Sequence, residues 1–344
     1  MHDKQPSLLR LLEDSGSRVL VYDIGRRISA IPRATFAAFE EASTPYPLPM
    51  QRKAWSALVQ VGEGQPVIWF LRLALDEQGL LVQAERDYLL GRLLESAYAG
   101  RAGADPQQAL RDNPQAFTPR DDRMALFHAR LGADLRLPPS RFYEHALAYF
   151  NGEPGWDQWE FVGYQGIADV ACRHTDEPLS AAIAQLPREP LVALCHCLES
   201  QTISTPLRDA LLARLAAVQR QTKPDIGVIA GLVRGLSSHA GSAGVRGGLE
   251  SLLATSSGRN IEVLAAISGR AWEALTDDLL GVWLEALAHN DHGQAAFSQC
   301  ISDLLSLPSM AEPVRAALRS ADRSAAARSA FAAMTATGQD ADRT

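Results

Sequence analysis

The chain has 344 residues, 47% of them hydrophobic and 21% charged, and a formal net charge of -7. That length accommodates two domains, the composition excludes global disorder, and the acidic balance excludes strong nonspecific attraction to nucleic acid or anionic lipid. No stretch stays apolar for the ~20 residues a membrane span needs, Pro6 and Arg10 interrupt any signal-peptide core, and four cysteines make no disulfide framework, so a cytoplasmic protein with reduced thiols and no membrane partner is expected.

A short helix is expected from Ser7 to Glu13. Arg18 to Asp23 follows as a strand in which Val19 and Val21 alternate with Leu20 and Tyr22. Gly25 allows a turn into a second extended run, Ile28 to Ile31. Arg33 to Ala42 reads as a helix with Phe36 and Phe39 on one face, while Pro45, Pro47 and Pro49 keep the next segment extended. Ala54 to Val61 and Pro66 to Leu75 are two β-rich runs joined by Gly62, Glu63, Gly64 and Gln65, which is a hairpin signal. A second turn, Asp76 to Gly79, leads into Leu80, Leu81 and Val82 as a continuation of the antiparallel meander. Glu85 to Ala97 then sets Leu89, Leu90, Leu93 and Leu94 on a helix face that can cover the sheet.

Everything after residue 119 reads as helix. Asp121 to Leu131, Ser140 to Asn151, Asp157 to Arg173 and Leu179 to Leu186 are separated by Gly and Pro breaks at Gly132, Pro138, Gly152, Pro154, Pro178 and Pro187. An apolar pattern then recurs at a spacing of 35 residues: Leu191, Leu194 and Cys197 correspond to Ile226, Ile229 and Leu232, and these to Ile261, Leu264 and Ile267. Partner stretches align more loosely, as Leu207, Leu211 and Leu215, then Val245, Leu249 and Leu253, then Leu279, Trp283 and Leu287. Phe297 to Leu305 and Val314 to Leu318 make a degenerate fourth pair. Units of this kind cannot bury their apolar faces alone, so they stack. The expected organisation is therefore an α+β sheet domain in residues 1–98, a linker in 99–119 rich in Gly, Ala, Pro, Asp and Gln, an all-α domain of stacked helix pairs in 120–334, and a disordered tail in 335–344.

Candidate chemistry is sparse. Cys172, His174, Cys195, His196 and Cys197 are metal-ligand types, but on a helix Cys195 and Cys197 stand about 200° apart around the axis, and Cys197 falls on the repeat's apolar face. No metal or cofactor is assigned. His289 and His292, beside Gly293, read as partners of a helix C-terminus. Phosphate-loop, GxSxG, HExxH and kinase patterns are absent. Two regions offer binding surface instead. The first gathers Arg26, Arg27, Arg33, Arg52 and Lys53 near Tyr22, Tyr46 and Trp55. The second is the aromatic run Phe142, Tyr143, Tyr149, Phe150, Trp156, Trp159, Phe161 and Tyr164, with Asp157 and Glu160 as an acidic rim. It is either a binding patch or core at the entrance to the repeat.

Tyr22-Asp23-Ile24-Gly25-Arg26-Arg27-Ile28, then Phe36 and Phe39, then Pro45-Tyr46-Pro47-Leu48-Pro49 with Gln51 and Trp55, resembles the start of a proteobacterial family catalogued only as a domain of unknown function. The resemblance brings no activity or ligand; it implies a bacterial cytoplasmic setting. The paired helices are similar to HEAT-type repeats in period, an analogy of architecture alone. Taken together, the residues point to a noncatalytic interaction or scaffold protein with a protein partner, binding through Tyr22, Arg26, Arg27, Tyr46, Arg52, Trp55, Trp156 and Trp159. The alternatives are an RNA- or ribosome-associated factor using Arg26, Arg27, Arg33 and Arg52, and an enzyme of unrecognised type.

Overall fold

Period-two alternation and turn chemistry set the first part of the molecule. In a computed structural model that describes residues 7–13, 16–100, 113–153, 155–173 and 176–341, the chain divides into two compact units with the boundary between Arg120 and Asp121, except that Ser306–Pro308 group with the first. The first unit holds a four-stranded antiparallel sheet formed by β1 (Arg18–Asp23), β2 (Ser29–Ile31), β3 (Lys53–Val61) and β4 (Val67–Ala74), in the spatial order β2-β1-β3-β4. Register places Val21 opposite Leu58 and Leu58 opposite Trp69, so alternate residues of three strands share one face. Onto this face pack α1 (Leu8–Glu13), α2 (Arg33–Glu40) and α3 (Gln83–Gly100), through Leu8, Leu9, Phe36, Phe39, Leu89 and Leu90. Each fully buried leucine or phenylalanine of this kind contributes about 2 kcal/mol.

Polar groups fix how the helices sit. Glu40, at the end of α2, is buried and accepts hydrogen bonds from the Ser7 hydroxyl at 2.7 Å and from the backbone N–H of Leu8, which satisfies the start of α1. Burial pushes its carboxyl above the usual range, against those hydrogen bonds and the charge of Arg86. Arg86 in turn donates to the Glu40 carbonyl at 3.0 Å, tying α3 to α2.

Leu80–Val82 differs from expectation. It makes an isolated bridge, Leu75 to Leu81, and no fifth strand, because Asp76 draws the N–H groups of Gln78 and Leu80 into a tight turn and α3 begins at Gln83. Part of the stretch read as a linker is also sheet-bound. Ala116 bridges Leu71, and the N–H of Arg72 donates to the Gln115 carbonyl at 2.8 Å. A free edge strand leaves an unpaired row of backbone groups that such a segment can satisfy. Residues 101–112 of that stretch lie outside the described residues.

The second unit is a two-layer stack. One layer runs α4 (Asp121–Asp134), α6 (Tyr164–Arg173), α8 (Arg188–Leu198), α10 (Ile226–Gly235) and α12 (Ile261–Arg270), each packed on the next. The other runs α5 (Tyr143–Phe150), α7 (Asp176–Ala182), α9 (Thr205–Gln219), α11 (Ala243–Leu253) and α13 (Asp277–Ala288). After these come α14 (Gly293–Ser306), α15 (Ala311–Arg319) and α16 (Ala325–Ala341), of which α15 and α16 pack on α13.

The 35-residue pattern maps onto α8, α10 and α12, where Leu191, Leu194, Cys197, Ile229, Leu232, Leu264 and Ile267 are all buried. Their partner faces on α9, α11 and α13 are buried as well. Capping repeats too. Asp225 and Asn260 cap α10 and α12, while Ser204 and Ser242 cap α9 and α11, each side chain satisfying an N–H that the first turn leaves without a partner. The tail expectation gives way where α16 continues to Ala341; residues 342–344 lie outside the described residues.

Candidate functional site

Two places answer to the sequence expectations and a third does not; the first is built inward. Asp23 ends β1 and is fully buried. Its Oδ2 accepts from the backbone N–H groups of Arg26 and Arg27, both at 3.1 Å, and its Oδ1 accepts from the Tyr46 hydroxyl at 3.0 Å. Arg26 donates from Nε to the Pro49 carbonyl at 2.6 Å. The Trp55 indole donates to the Met50 carbonyl at 3.0 Å and meets Phe117 edge-on at 4.8 Å between ring centroids. Burial and the charge of Asp23 hold the Tyr46 phenol protonated far above its usual range.

This network corrects the surface expected there. Tyr22, Arg26 and Tyr46 are buried, Arg27 and Trp55 are half-buried, and of the six expected binding residues in this unit only Arg52 is exposed. The physical reason is the Pro45–Pro49 segment, which lies against Asp23 and lets aromatic and guanidinium groups satisfy carbonyls that burial would orphan. Arg52 stands on a tight turn between Met50 and Lys53, with Gln51 and Arg52 both at positive φ, 54° and 56°. Two consecutive left-handed residues without glycine carry strain.

The aromatic run, second, divides between core and surface. Tyr149 and Phe150 are buried, and the Tyr149 hydroxyl donates to the Trp156 carbonyl at 3.0 Å. Burial, helped by the charge of Asp157, pushes the Tyr149 phenol up to about 12. Trp156 and Trp159 are half-buried in a 3-10 stretch, Trp156–Phe161. Phe161 is 71% exposed and Phe142 is 42% exposed, with the Arg141 guanidinium 4.8 Å above the Phe142 ring. Asp157 and Glu160 are exposed on the same stretch.

The third place was not legible as a motif. Glu199 follows the last residue of α8, and its side chain is wholly buried, yet it gathers three arginines. Oε1 accepts from Arg123 Nη1 of α4 at 2.6 Å; Oε2 accepts from Arg234 Nε of α10 at 2.6 Å and from Arg270 Nε of α12 at 3.1 Å. The Glu199 carbonyl accepts from the Ser237 hydroxyl at 2.9 Å. Burial pushes this carboxyl up, but Arg270, Arg234 and Arg123 together outweigh it and bring it down to about 2. His196, one turn earlier, is brought down to about 4 by burial and by Arg234 and Arg270, against the opposing pull of Glu199 and Asp122. It is neutral at pH 7. One signal of the cluster was present in the sequence: Glu199 and Arg234 occupy the same position of the 35-residue repeat.

The cysteines are packing residues in this unit. Cys195 and Cys197 are buried, and burial pushes the Cys172 and Cys195 thiols up to about 12, which suppresses the reactive thiolate. His174 lies outside the described residues. Among the described residues no group of three His, Cys, Asp or Glu side chains is placed to hold a metal, and no helix is long and apolar enough to cross a membrane. His289 caps α13, its ring nitrogen 2.9 Å from the Glu285 carbonyl, whereas Gly293, at φ +74°, turns the chain into α14 and does not close α13.

Fold and sites together define an α+β protein, a small antiparallel sheet with flanking helices followed by a helix-rich unit. Residues 4–335 match the family described as Protein of unknown function (DUF3549), and the chain belongs to that family. No curated protein and no solved structure matches it.

Proposed function

We propose that the protein is a noncatalytic interaction protein of the bacterial cytoplasm, whose HEAT-like helical unit holds a protein partner at the aromatic segment between α5 and α6. The observation that carries this reading is the exposure of Phe161 and Phe142 on a unit that buries Phe127, Tyr149, Phe150, Trp272, Trp283 and Phe297. Large rings left in water at one place are favoured anchors for a partner. Exposed Asp157 and Glu160 beside them favour a partner segment that pairs basic with apolar residues. The half-buried Trp156 and Trp159 form the base of such a surface.

A tagged copy purified gently from its host is expected to carry a stoichiometric protein. Phe161→Ser with Phe142→Ser should abolish that association while leaving the helical circular dichroism unchanged. Retention of the partner by the double variant, or no partner at all, would overturn the reading. The RNA- or ribosome-associated alternative is weakened by the burial of Arg26 and by the pairing of Arg33 with Glu13 at 2.5 Å; an interaction that falls steeply with salt would revive it.

A further inference from the structure

The sheet covers part of one edge with its own chain and leaves part of the other open. On β4, residues 115–117 take up outward backbone groups: the N–H of Arg72 donates to the Gln115 carbonyl at 2.8 Å, and the Phe70 carbonyl accepts from the N–H of Phe117 at 3.2 Å. On β1 the neighbour is β2, three residues long against six, so it covers Val21, Tyr22 and Asp23 and stops short of residues 18–20. Parity shows which backbone groups are left. The N–H of Ile24 donates to the Trp55 carbonyl at 2.9 Å, so the even-numbered residues of β1 face β3, while Val19, Val21 and Asp23 direct N–H and C=O to the β2 side. Val21 and Asp23 meet Ile31 and Ser29 there. Val19 lies two residues past the end of β2, and its backbone bonds to no described residue.

We propose that this edge receives an extended segment of a partner protein, added antiparallel to β1 in line with β2, with an apolar residue opposite Val19 and an acidic residue next after it, opposite Arg18. A cavity of about 530 Å³ lies along the edge, lined by residues 16–22, by Ala30 and Ile31 of β2, and by Glu13 and Arg33; the size is ordinary for a ligand cleft. In an antiparallel ladder the residue opposite Val19 exchanges both hydrogen bonds with it, which gives the outward N–H and C=O their partners. Directly opposite residues share a face, so its side chain enters among Val19, Val21 and Ile31, all apolar and buried. The residue before it stands opposite half-buried Leu20 and is apolar for the same reason. The residue after it stands opposite Arg18 on the other face, at a non-hydrogen-bonded position where cross-strand side chains approach closest. Arg18 is exposed and pairs with no carboxylate among the described residues, whereas Arg33, the other cation of the lining, is held by both carboxylate oxygens of Glu13, at 2.6 and 2.5 Å. Charge therefore selects a carboxylate opposite Arg18.

The test titrates the full chain with an acetylated, amidated pentapeptide, Ser-Val-Val-Glu-Ser, whose central valine is meant for Val19. Backbone amide signals are followed by NMR at low ionic strength. The Val19 N–H should shift saturably and exchange more slowly with solvent as peptide is added. N-methylation of the central valine removes the donor to the Val19 carbonyl and should weaken binding at least about tenfold. Val19→Pro removes the outward N–H, which the fold itself does not use, at an edge position where proline is tolerated; the loss should be similar. Arg18→Glu, at an exposed site, serves should the proline variant not fold, and it should reverse the preference between this peptide and its analogue with lysine in place of glutamate. Phe142→Ser with Phe161→Ser should leave peptide binding unchanged, which separates this edge from the aromatic surface. The proposal is overturned by any of four results: no saturable shift at Val19, equal binding of the N-methylated peptide, an unchanged preference in Arg18→Glu, or protection of Val19 that rises with protein concentration in the absence of peptide, which would assign the edge to a second copy of the chain.

Discussion

Asp23 in the sheet unit and Glu199 in the helical unit are both buried carboxylates, and they are satisfied in opposite ways. Asp23 takes hydrogen bonds from backbone N–H groups three and four residues ahead and from a phenol held by a proline-rich segment. Glu199 takes charged donors from three other helices, at sequence separations of 76, 35 and 71 residues. The first network shapes a local turn and leaves little for a ligand. The second joins helices of one layer that lie far apart in the chain and keeps guanidinium groups near water.

The most severe way to break this contrast is Glu199→Ala. Removing the carboxylate leaves three arginines facing one another, and breaking a buried pair in this way costs roughly 3–5 kcal/mol. Hydrogen exchange of α8, α10 and α12 should report the loss there first. Acid sharpens the same point. Folded His196 titrates near 4, below its usual 6.5, so the unfolded chain binds the proton more readily and stability falls as pH drops from 6.5 to about 4. Glu199 is depressed to about 2 from 4.5, so its contribution is full above 4.5 and is lost as pH falls toward 2. Acid unfolding of the helical unit should therefore have two phases, and His196→Asn should remove the upper one.

Tyr46→Phe is the milder break in the other unit. It strips the hydroxyl from Asp23 Oδ1 and should cost about 1–3 kcal/mol, the range for leaving a buried acceptor short of a donor. Loss of near-ultraviolet signal from Trp55 at lower denaturant would report it. Gln51→Asn with Arg52→Gly should do the reverse, relieving two left-handed residues and raising stability by about 1 kcal/mol, measured by urea unfolding. Smallest is Arg188→Ala. It opens an exposed pair with Asp225 at 2.8 Å, which should change stability by no more than about 1 kcal/mol.

The same contrast explains what could be read in advance. Strands, hairpin and the Phe36 and Phe39 face follow from local spacing, and apart from Leu80–Val82 the sheet forms where that spacing places it. The repeat was legible because each helix repeats one apolar face, down to Cys197 as a core residue. Burial of Tyr22, Arg26 and Tyr46 was not legible, because aromatic and basic residues are ordinary surface types until a carboxylate and a set of carbonyls close over them. The Glu199 cluster was harder still. Arg123 and Arg270 carry no sign of each other along the chain, and only the layering of α4, α8, α10 and α12 brings them together.

The separations within that cluster also set an order of events during synthesis. Arg123 leaves the ribosome first, then Glu199, then Arg234, and Arg270 last, at several residues per second. A nascent chain that ends before Arg270 holds its carboxylate with two of three partners, and one that ends before Arg234 holds it with one. The α12 start waits longer still, because Asp291 must arrive to accept from Asn260 and from the N–H of Ile261, at 2.7 and 2.9 Å. The Glu199 cluster is thus fastened backwards, α10 and then α12 each bringing a guanidinium to a carboxylate at the end of a helix already made.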